Sequence, residues 1–294
     1  IRYPQGDWSS DVCSSDLKRG GIVLSYEQFT LRNIDYIPDE LQNKIRNTTI
    51  LIAGCGIGSS FAEVAVRLGF ESIILADGDI VNDHNLNRQC FVADDIGKLK
   101  VKALAERLKA INPSVKVKEI TEFISEKNVT EIVKDADIVF DTIDFLDLPA
   151  IIGLHDECKK QKKHLITALA LGWGAGCIYF PPDAICSFRK ILALPLEGPV
   201  DKFGYSEVFS KFVYRLEEQL DPTVFKAVSK ALIFMDDGRP CPASQVSPGA
   251  YAVASFVGTL VVRILSGLPV LSAPNLLTID MQKSLTNNAL NLLD

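Results

Sequence analysis

The chain has 294 residues, with 31 basic and 37 acidic side chains and a formal net charge of −6 at pH 7. Hydrophobic residues make up 47% of it and charged residues 23%, a globular composition that excludes a disordered chain and a collagen-like repeat. The acidic balance argues against a nucleic-acid binder that relies on bulk charge. The length suits one large α/β domain or two small ones.

Several features predict a cytoplasmic protein that does not contact a membrane. We find no apolar run of the roughly 18 residues that a membrane span needs, because the longest candidate, residues 251–262, is stopped by Arg263. The N-terminus has no signal-peptide pattern. The seven cysteines show no paired spacing, which indicates a reducing compartment.

The first two thirds of the chain alternate strands and helices. After a polar, partly helical lead-in, short β-branched apolar runs predict buried strands, and apolar residues at helical spacing predict helices. The strands are predicted at residues 49–53, 72–76, 115–120, 136–141 and 164–168, and the helices at residues 59–68, 98–111, 129–134 and 149–163. Gly69 is expected to cap the first helix. The alternation predicts an α/β fold, a Rossmann-like doubly wound and mainly parallel sheet with helices on both faces.

The pattern changes at Pro181, Pro182 and Asp183, which mark a loop. After it come a mostly helical stretch, a second loop, an almost wholly apolar helix and a last strand, predicted at residues 187–235, 240–248, 250–265 and 276–280. Such an apolar helix must be buried in the core or in a subunit interface. We predict one domain over residues 18–294, with residues 181–248 as an inserted helical crossover arm.

Residues 1–17 do not fit this domain. The stretch at residues 7–17, Asp-Trp-Ser-Ser-Asp-Val-Cys-Ser-Ser-Asp-Leu, is polar and aperiodic, and it leads into no helix cap or strand. It resembles the translation of a common sequencing-library adapter; a disordered native tail is the alternative. We predict that residues 1–17 are a non-native artefact segment. The native sequence would then start near Lys18.

A glycine-rich turn, Gly54-Cys55-Gly56-Ile57-Gly58, joins the first predicted strand to the first predicted helix. Glycines there let the backbone approach a phosphate, and the helix N-terminus supplies N–H groups and the positive end of a dipole. Asp77 follows Gly58 by 19 residues, at a strand end where an acid can accept hydrogen bonds from ribose hydroxyls. These features fit a tight strand–helix turn, or a site for NAD, FAD, S-adenosylmethionine or ATP.

Four further motifs separate these alternatives. In chain order they are Asp77-Gly78-Asp79, Asn85-Leu86-Asn87-Arg88-Gln89, Gly97-Lys98-Leu99-Lys100 and Asp141-Thr142-Ile143-Asp144. A hydride-transfer site does not need an arginine, a lysine and a carboxylate that converge on the phosphates. Phosphoryl or nucleotidyl transfer does need them, because charge builds up on the phosphate and leaving-group oxygens.

This ordered set resembles the motifs of the ThiF/MoeB/HesA family, the adenylating domains of ubiquitin-activating enzymes, over about residues 26–280. The resemblance implies a domain that binds ATP and Mg²⁺, attaches AMP to the C-terminal glycine carboxylate of a ubiquitin-like protein or peptide, and releases pyrophosphate. Several family members then move the acyl group to a cysteine. The attacking carboxylate is ionised at pH 7, so the reaction needs no general base. It needs positioning and charge neutralisation.

The resemblance also implies roles for individual residues. The implied nucleotide-binding residues are Gly54, Gly56, Gly58, Asp77, Asn85, Asn87, Arg88, Lys100 and Asp144. Among them, the two later glycines would cradle phosphates, Asp77 would hold the ribose, and the two asparagines would line the nucleotide pocket. Arg88 would contact the phosphates, Lys100 would neutralise the leaving pyrophosphate, and Asp144 would hold Mg²⁺.

The chain departs from the family pattern in several places. The glycine loop is one residue shorter than the family's G-x-G-x-x-G, and the nearest candidate for the family's arginine that reaches into a partner subunit is Arg32. Cys186 stands where the first cysteine pair of a structural zinc site would begin, but Arg189 takes the second position, so we predict no zinc. Cys241 is the candidate acyl-accepting thiol, although a free cysteine is more often a small buried hydrophobe.

We therefore predict an ATP-dependent adenylyltransferase whose candidate catalytic residues are Arg88, Lys100, Asp144, Arg32 and Cys241. The expected substrate is the C-terminus of a ubiquitin-like protein or peptide, held extended by the crossover arm, and the expected assembly is a homodimer with residues 250–265 near the interface. One alternative is the same chemistry on a carboxylate of a modified tRNA base, which the acidic charge disfavours. An NAD-binding oxidoreductase would leave Lys100 and Asp144 idle, and the intact cationic residues argue against an inactive nucleotide-binding partner.

Overall fold

A computed structural model describes residues 24–144, 147–218, 220–236 and 244–287. The predicted artefact segment, residues 1–17, lies outside the described residues. Strands β1 to β7 span Thr49–Ala53, Ser72–Ala76, Lys116–Ile120, Ile138–Asp141, His164–Leu171, Gly174–Phe180 and Leu277–Asp280. Helices α1 to α11 span Tyr26–Thr30, Asp39–Asn47, Gly58–Leu68, Lys100–Ile111, Val129–Lys134, Leu148–Lys160, Phe188–Ile191, Tyr205–Tyr214, Pro222–Asp236, Ser247–Leu265 and Met281–Asn287.

The described strands form one seven-stranded sheet in the order β3-β2-β1-β4-β5-β6-β7. Strands β1 to β5 are parallel to one another, and β6 and β7 are antiparallel to their neighbours. The strand order reverses between β1 and β4, and doubly wound sheets bind ligands in the crevice at the carboxyl ends of the strands at such a point. The predicted Rossmann-like, mainly parallel sheet is confirmed.

Strand β1 lies next to the central strand, β4, and its side chains are buried on both faces of the sheet. Ile50 and Ile52 belong to the apolar core that α3, α4 and α10 cover, while Leu51 and Ala53 belong to the core on the opposite face. All four residues are fully buried. Burial on both faces is typical of a parallel strand between two helix layers, and it fixes the position of the turn that follows β1.

The hairpin β5–β6 is the main difference from the predicted elements. Strand β5 continues to Leu171 instead of ending at Ala168, and after a turn at Gly172 and Trp173 the chain returns as β6, a strand that the sequence analysis missed. Its glycines conceal the strand pattern, but one of them is required by packing. A Cβ on Gly174 would lie 2.1 Å from a carbonyl oxygen of β7, so only glycine allows β7 to pair there.

Helix α10 is long and apolar enough to cross a membrane by length and composition alone, and it is the one helix of the described residues with this property. It packs against α3, β5 and β6. Its exposed stripe consists of Tyr251, Ser255, Thr259 and Arg263. Because core helices of folded domains share this property, the observation is weak evidence for a membrane.

The packing of α10 on the β5–β6 turn can be tested at Gly249, where a Cβ would lie 2.1 Å from the carbonyl oxygen of Gly172. We expect Gly249→Ala to lower the free energy of unfolding by about 1–3 kcal/mol, because the backbone must shift. Gly153→Ala is the matched control: an added Cβ in α6 meets no atom within 4 Å, so it should raise stability by about 0.5–1 kcal/mol. Urea unfolding, monitored by circular dichroism, measures the free energy of unfolding of both variants. Equal free energies for Gly249→Ala and Gly153→Ala would contradict this packing.

Candidate functional site

The glycine-rich turn is pressed between the carboxyl ends of β1 and β4. Gly54 has a φ of +93°, and a Cβ there would lie 2.4 Å from the carbonyl oxygen of Thr142. A Cβ on Gly58 would lie 2.7 Å from side-chain atoms of Ile52 and Thr142. Both glycines therefore allow close approach of strand, helix and the segment after β4, which is a recurrent role of glycine in dinucleotide-binding turns.

The N-terminus of α3 is open to an anion. No side chain caps this helix, and the N–H groups of Gly56, Ile57 and Gly58 donate no hydrogen bond to any described residue. Unpaired N–H groups and the positive end of the helix dipole attract phosphates. The turn therefore has backbone donors available for an anion, and the binding of a phosphate there stays a prediction.

Asp77 ties this turn to the end of β2. Its buried carboxylate accepts hydrogen bonds from the N–H of Cys55 at 2.7 Å and from the N–H of Asp79 at 2.8 Å, one on each oxygen. These bonds hold two loops in a fixed relation. Each carboxylate oxygen has a second lone pair, so contact with a ribose hydroxyl stays a prediction that this geometry allows.

Lys100 begins α4 and is the one buried lysine among the described residues. Its ammonium lies 2.5 Å from a carboxylate oxygen of Asp79, and its side chain is only 8% exposed. Partial burial alone would raise the pKa of Asp79, but the hydrogen bond and charge of Lys100 outweigh it and lower that pKa. Lys98 differs, since its side chain is 43% exposed and pairs with Asp95 at the surface.

Arg88 is held by neutral partners. Its Nη1 donates to the carbonyl of His84 at 2.8 Å and to Oδ1 of Asn87 at 2.9 Å, and its Nε donates to Oε1 of Gln245. Burial lowers the pKa of Arg88, while the negative charge of Asp144 opposes that effect, so Asp144 acts on this guanidinium. Gln245, just before α10, carries no motif and was missed by the sequence analysis.

Gln89 brings a buried amide against the glycine turn. Its Nε2 lies 3.2 Å from the position of a Cβ on Gly56, and its Oε1 is buried without a hydrogen-bond partner among the described residues. The next residue, Cys90, donates its N–H to Oγ of Ser59, which donates to the carbonyl of Gly56. An unpaired buried acceptor calls for a donor from elsewhere, which a nucleotide hydroxyl or amine can supply.

A family model described as the ThiF family matches residues 30–291. The chain belongs to the ThiF family. This confirms the family that the motifs predicted, and it agrees with the predicted enzyme class, an ATP-dependent adenylyltransferase.

Individual relatives carry related names. The chain is 36% identical to the tRNA threonylcarbamoyladenosine dehydratase of Haemophilus influenzae over 193 residues, which cover 60% of this chain and 72% of that protein. It is 31% identical to the sulfur carrier protein ThiS adenylyltransferase of Bacillus subtilis over 162 residues, which cover 53% of this chain and 48% of that protein. The chain thus spans about half the length of the second relative.

Solved structures share the fold. The structure of PaaA superposes with a TM-score of 0.62 and covers 94% of this chain and 83% of its own. The structure of E. coli MccB with MccA-N7isoASN gives a TM-score of 0.64 and covers 87% of this chain and 69% of its own. Both are 22% identical in sequence, which supports the shared ThiF-type architecture and nothing finer.

The other predicted residues of this ThiF-family chain differ in their relation to the cations. Asn85 is buried, accepts the N–H of Asn82 with its side chain, and accepts the N–H of Arg88 at 3.1 Å with its carbonyl, so it closes its own turn. Arg32 is exposed in a 3₁₀ turn, and no contact within the described ranges joins it to the site. Cys241 lies outside the described residues, so its predicted role stays untested.

Asp144 offers a single carboxylate as a possible metal ligand. Asp144 is exposed beside Arg88, and among the described residues no group of three or more His, Cys, Asp or Glu is arranged to hold a metal ion. Mg²⁺ in nucleotide sites is bound by one or two carboxylates together with substrate phosphates and water. An exposed carboxylate beside an arginine fits that mode.

Arg189 organises the region in which family members place a zinc-binding pair. Its buried guanidinium pairs with Asp156 at 2.8 Å and donates to the carbonyls of Pro195 and Gly198. These bonds tie α7 to α6 and to the loop that follows. A buried arginine with several partners fixes a loop by its planar array of donors.

The described cysteines differ in access, which predicts their reactivity. Cys55, Cys90, Cys158 and Cys177 are buried, and Cys186 is partly exposed. Burial raises the pKa of the Cys177 thiol to about 12 and that of Cys55 well above its usual value, and the thiolate is the reactive form.

Brief iodoacetamide labelling at pH 7, read by peptide mass spectrometry, should therefore modify Cys186 at least tenfold faster than the four buried cysteines. Labelling of Cys55 as fast as that of Cys186 in the folded protein would contradict this prediction. The urea-unfolded protein is the control.

Proposed function

We propose that this chain is an ATP-dependent adenylyltransferase that activates a carboxylate as its acyl-adenylate and releases pyrophosphate. The observation that carries the proposal is the uncapped start of α3, whose glycine turn is linked through Asp77 and Asp79 to Lys100 and is packed against Gln89, the neighbour of Arg88. Unpaired N–H groups together with these two cations would favour the binding of phosphates. Membership of the ThiF family and the names of its relatives support the same reaction class.

The proposed reaction forms a bond between a substrate carboxylate oxygen and the α-phosphorus of ATP, and breaks the bond from that phosphorus to the pyrophosphate oxygen. The carboxylate is already ionised, so no residue needs to remove a proton. Lys100 and Arg88 would stabilise the charge that grows on the leaving pyrophosphate, and the N–H groups of the glycine turn would hold the phosphates in line. Asp144 would hold Mg²⁺, which supplies further neutralisation of phosphate charge when bound.

For the substrate we propose the C-terminal carboxylate of a ubiquitin-like protein or peptide, with residues 181–248 as the arm that holds it. The names of relatives and structural neighbours support this class, since one is a ThiS adenylyltransferase and another was solved with MccA-N7isoASN. The runner-up is a carboxylate on a modified tRNA base. It is favoured by the relative named tRNA threonylcarbamoyladenosine dehydratase and disfavoured by the net charge of −6.

The remaining expectations stay proposals: a cytoplasmic enzyme, a homodimer with α10 near the interface, and Arg32 as the arginine that completes a partner's site. The narrow polar stripe of α10 would supply hydrogen bonds rather than a large apolar contact. Light scattering of the purified protein decides the assembly, and a monomer at working concentration would overturn the proposal for Arg32.

The substrate class can be decided by ATP–pyrophosphate exchange. We expect exchange when small ubiquitin-like proteins or peptides with a free C-terminus are added, and none with total tRNA, because the proposed acyl-adenylate forms on a polypeptide C-terminus and not on a tRNA base. Exchange that depends on tRNA alone would replace the substrate proposal with the runner-up.

Binding of NAD without binding of ATP would overturn the proposed adenylation altogether. Cys241→Ser then separates adenylation alone from adenylation followed by thiol transfer.

Lys98 and Lys100 belong to the same motif, so their variants form a matched pair that tests the catalytic role of Lys100. Lys100→Met should lower the exchange rate about 10²–10³-fold, because it removes a buried charge aimed at developing negative charge. Lys98→Met should leave the rate within about twofold, because its exposed ammonium pairs with surface carboxylates. Asp144→Ala should also lose exchange. Equal effects of the two lysine changes would contradict the assigned role of Lys100.

A further inference from the structure

A buried polar cluster lies directly behind the segment that carries Asp144. It consists of Asp141 at the end of β4, Thr167 in β5 and His155 in α6, which are 2%, 4% and 6% exposed. The His155 Nε2 lies 3.1 Å from Oδ2 of Asp141 and 2.8 Å from Oγ1 of Thr167. The Thr167 hydroxyl donates to the same Asp141 oxygen at 2.9 Å.

The hydrogen bonds fix the protonation pattern of the cluster. Because the Thr167 hydroxyl donates its proton to Asp141, its oxygen is left to accept one from His155. Nε2 of His155 therefore carries a hydrogen, which it shares between Thr167 and Asp141. The imidazole has little freedom to turn away, since it stacks on Phe188 at 4.3 Å between ring centroids and meets Phe180 edge-on at 5.0 Å.

The other oxygen of Asp141 is bonded to the segment that leads towards Asp144. It accepts the N–H of Ile143 at 3.1 Å, which turns the chain immediately after β4. Within that turn, Thr142 donates its N–H to the carbonyl of Ala53 and its hydroxyl to the carbonyl of Gly54 at 2.7 Å. Asp141 thus sets the path of Thr142 and Ile143, the two residues that lead from β4 to Asp144 across the glycine turn.

We propose that His155 is a positioning residue for nucleotide binding, which acts by holding the Asp141 carboxylate and, through it, the segment from Thr142 to Asp144. The inference rests on the proposed function, because the site served is the nucleotide site. A buried carboxylate is stabilised by the donors that it accepts, and His155 and Thr167 supply both donors on Oδ2 while Ile143 supplies the one on Oδ1. Loss of the imidazole donor leaves Asp141 free to seek another partner, and the turn loosens with it.

The test compares His155→Leu, which removes the donor at similar volume, with His155→Gln, whose amide N–H restores a donor. We expect His155→Leu to weaken ATP binding about tenfold by isothermal titration calorimetry with Mg²⁺ present, and His155→Gln to recover most of it. Thr167→Val should act in the same direction. Leu154→Ala, a fully buried change on the same helix, is the stability control: it should lower the unfolding midpoint without changing the ATP dissociation constant.

Amide hydrogen exchange supplies a readout that needs no nucleotide. The N–H of Ile143 should exchange at least tenfold faster in His155→Leu than in His155→Gln or Leu154→Ala, because its acceptor has moved. Unchanged exchange at Ile143 together with wild-type ATP affinity in His155→Leu would overturn the inference. Wild-type protein that binds no ATP would instead overturn the proposed function, while the exchange rates would still decide whether His155 holds this turn.

Discussion

The carboxyl ends of β1 and β4 approach so closely that Gly54 has no room for a side chain against the carbonyl of Thr142. Thr142 secures the approach from its own side, with its hydroxyl on the carbonyl of Gly54. Both strands lie where the sheet reverses its order, so the start of α3 and the segment of Asp144 are placed relative to this one contact. A close-packed interior transmits small displacements. The site therefore cannot shift unless the carboxyl ends of β1 and β4 shift with it.

The two cations of the site are restrained in different ways. Lys100 is compensated by a carboxylate at 2.5 Å, while Arg88 is held by two carbonyl or amide oxygens and by Gln245. Neutral acceptors orient a guanidinium without cancelling its charge. The charge of Arg88 is thus more available to an anion than the charge of Lys100, because the Lys100 ammonium already donates to Asp79.

Local signals made much of this architecture predictable. The bounds of β1 and β2 follow from their apolar runs, the αL conformation of Gly69 ends α3 as expected, and Asp77 reaches the turn because parallel strand ends share an edge. The rest depends on contacts between residues far apart in sequence. Gln245 touches Arg88 across 157 positions, and His155 matters only because α6 lays it against β4 and β5. No motif marks such residues, since their roles arise from packing.

That contact between Arg88 and Gln245 also bears on how the protein assembles. Pairing across 157 positions closes a very long loop, and closure entropy makes such contacts late events in folding. A chain emerging from the ribosome can pair β1 with β2 and form the glycine turn well before α10 exists. Arg88 then lacks its last restraint until the C-terminal quarter is made. Until Gln245 has been made, Arg88 keeps only its local bonds to His84 and Asn87, so the anion site gains its full set of restraints only after the segment before α10 has been synthesised.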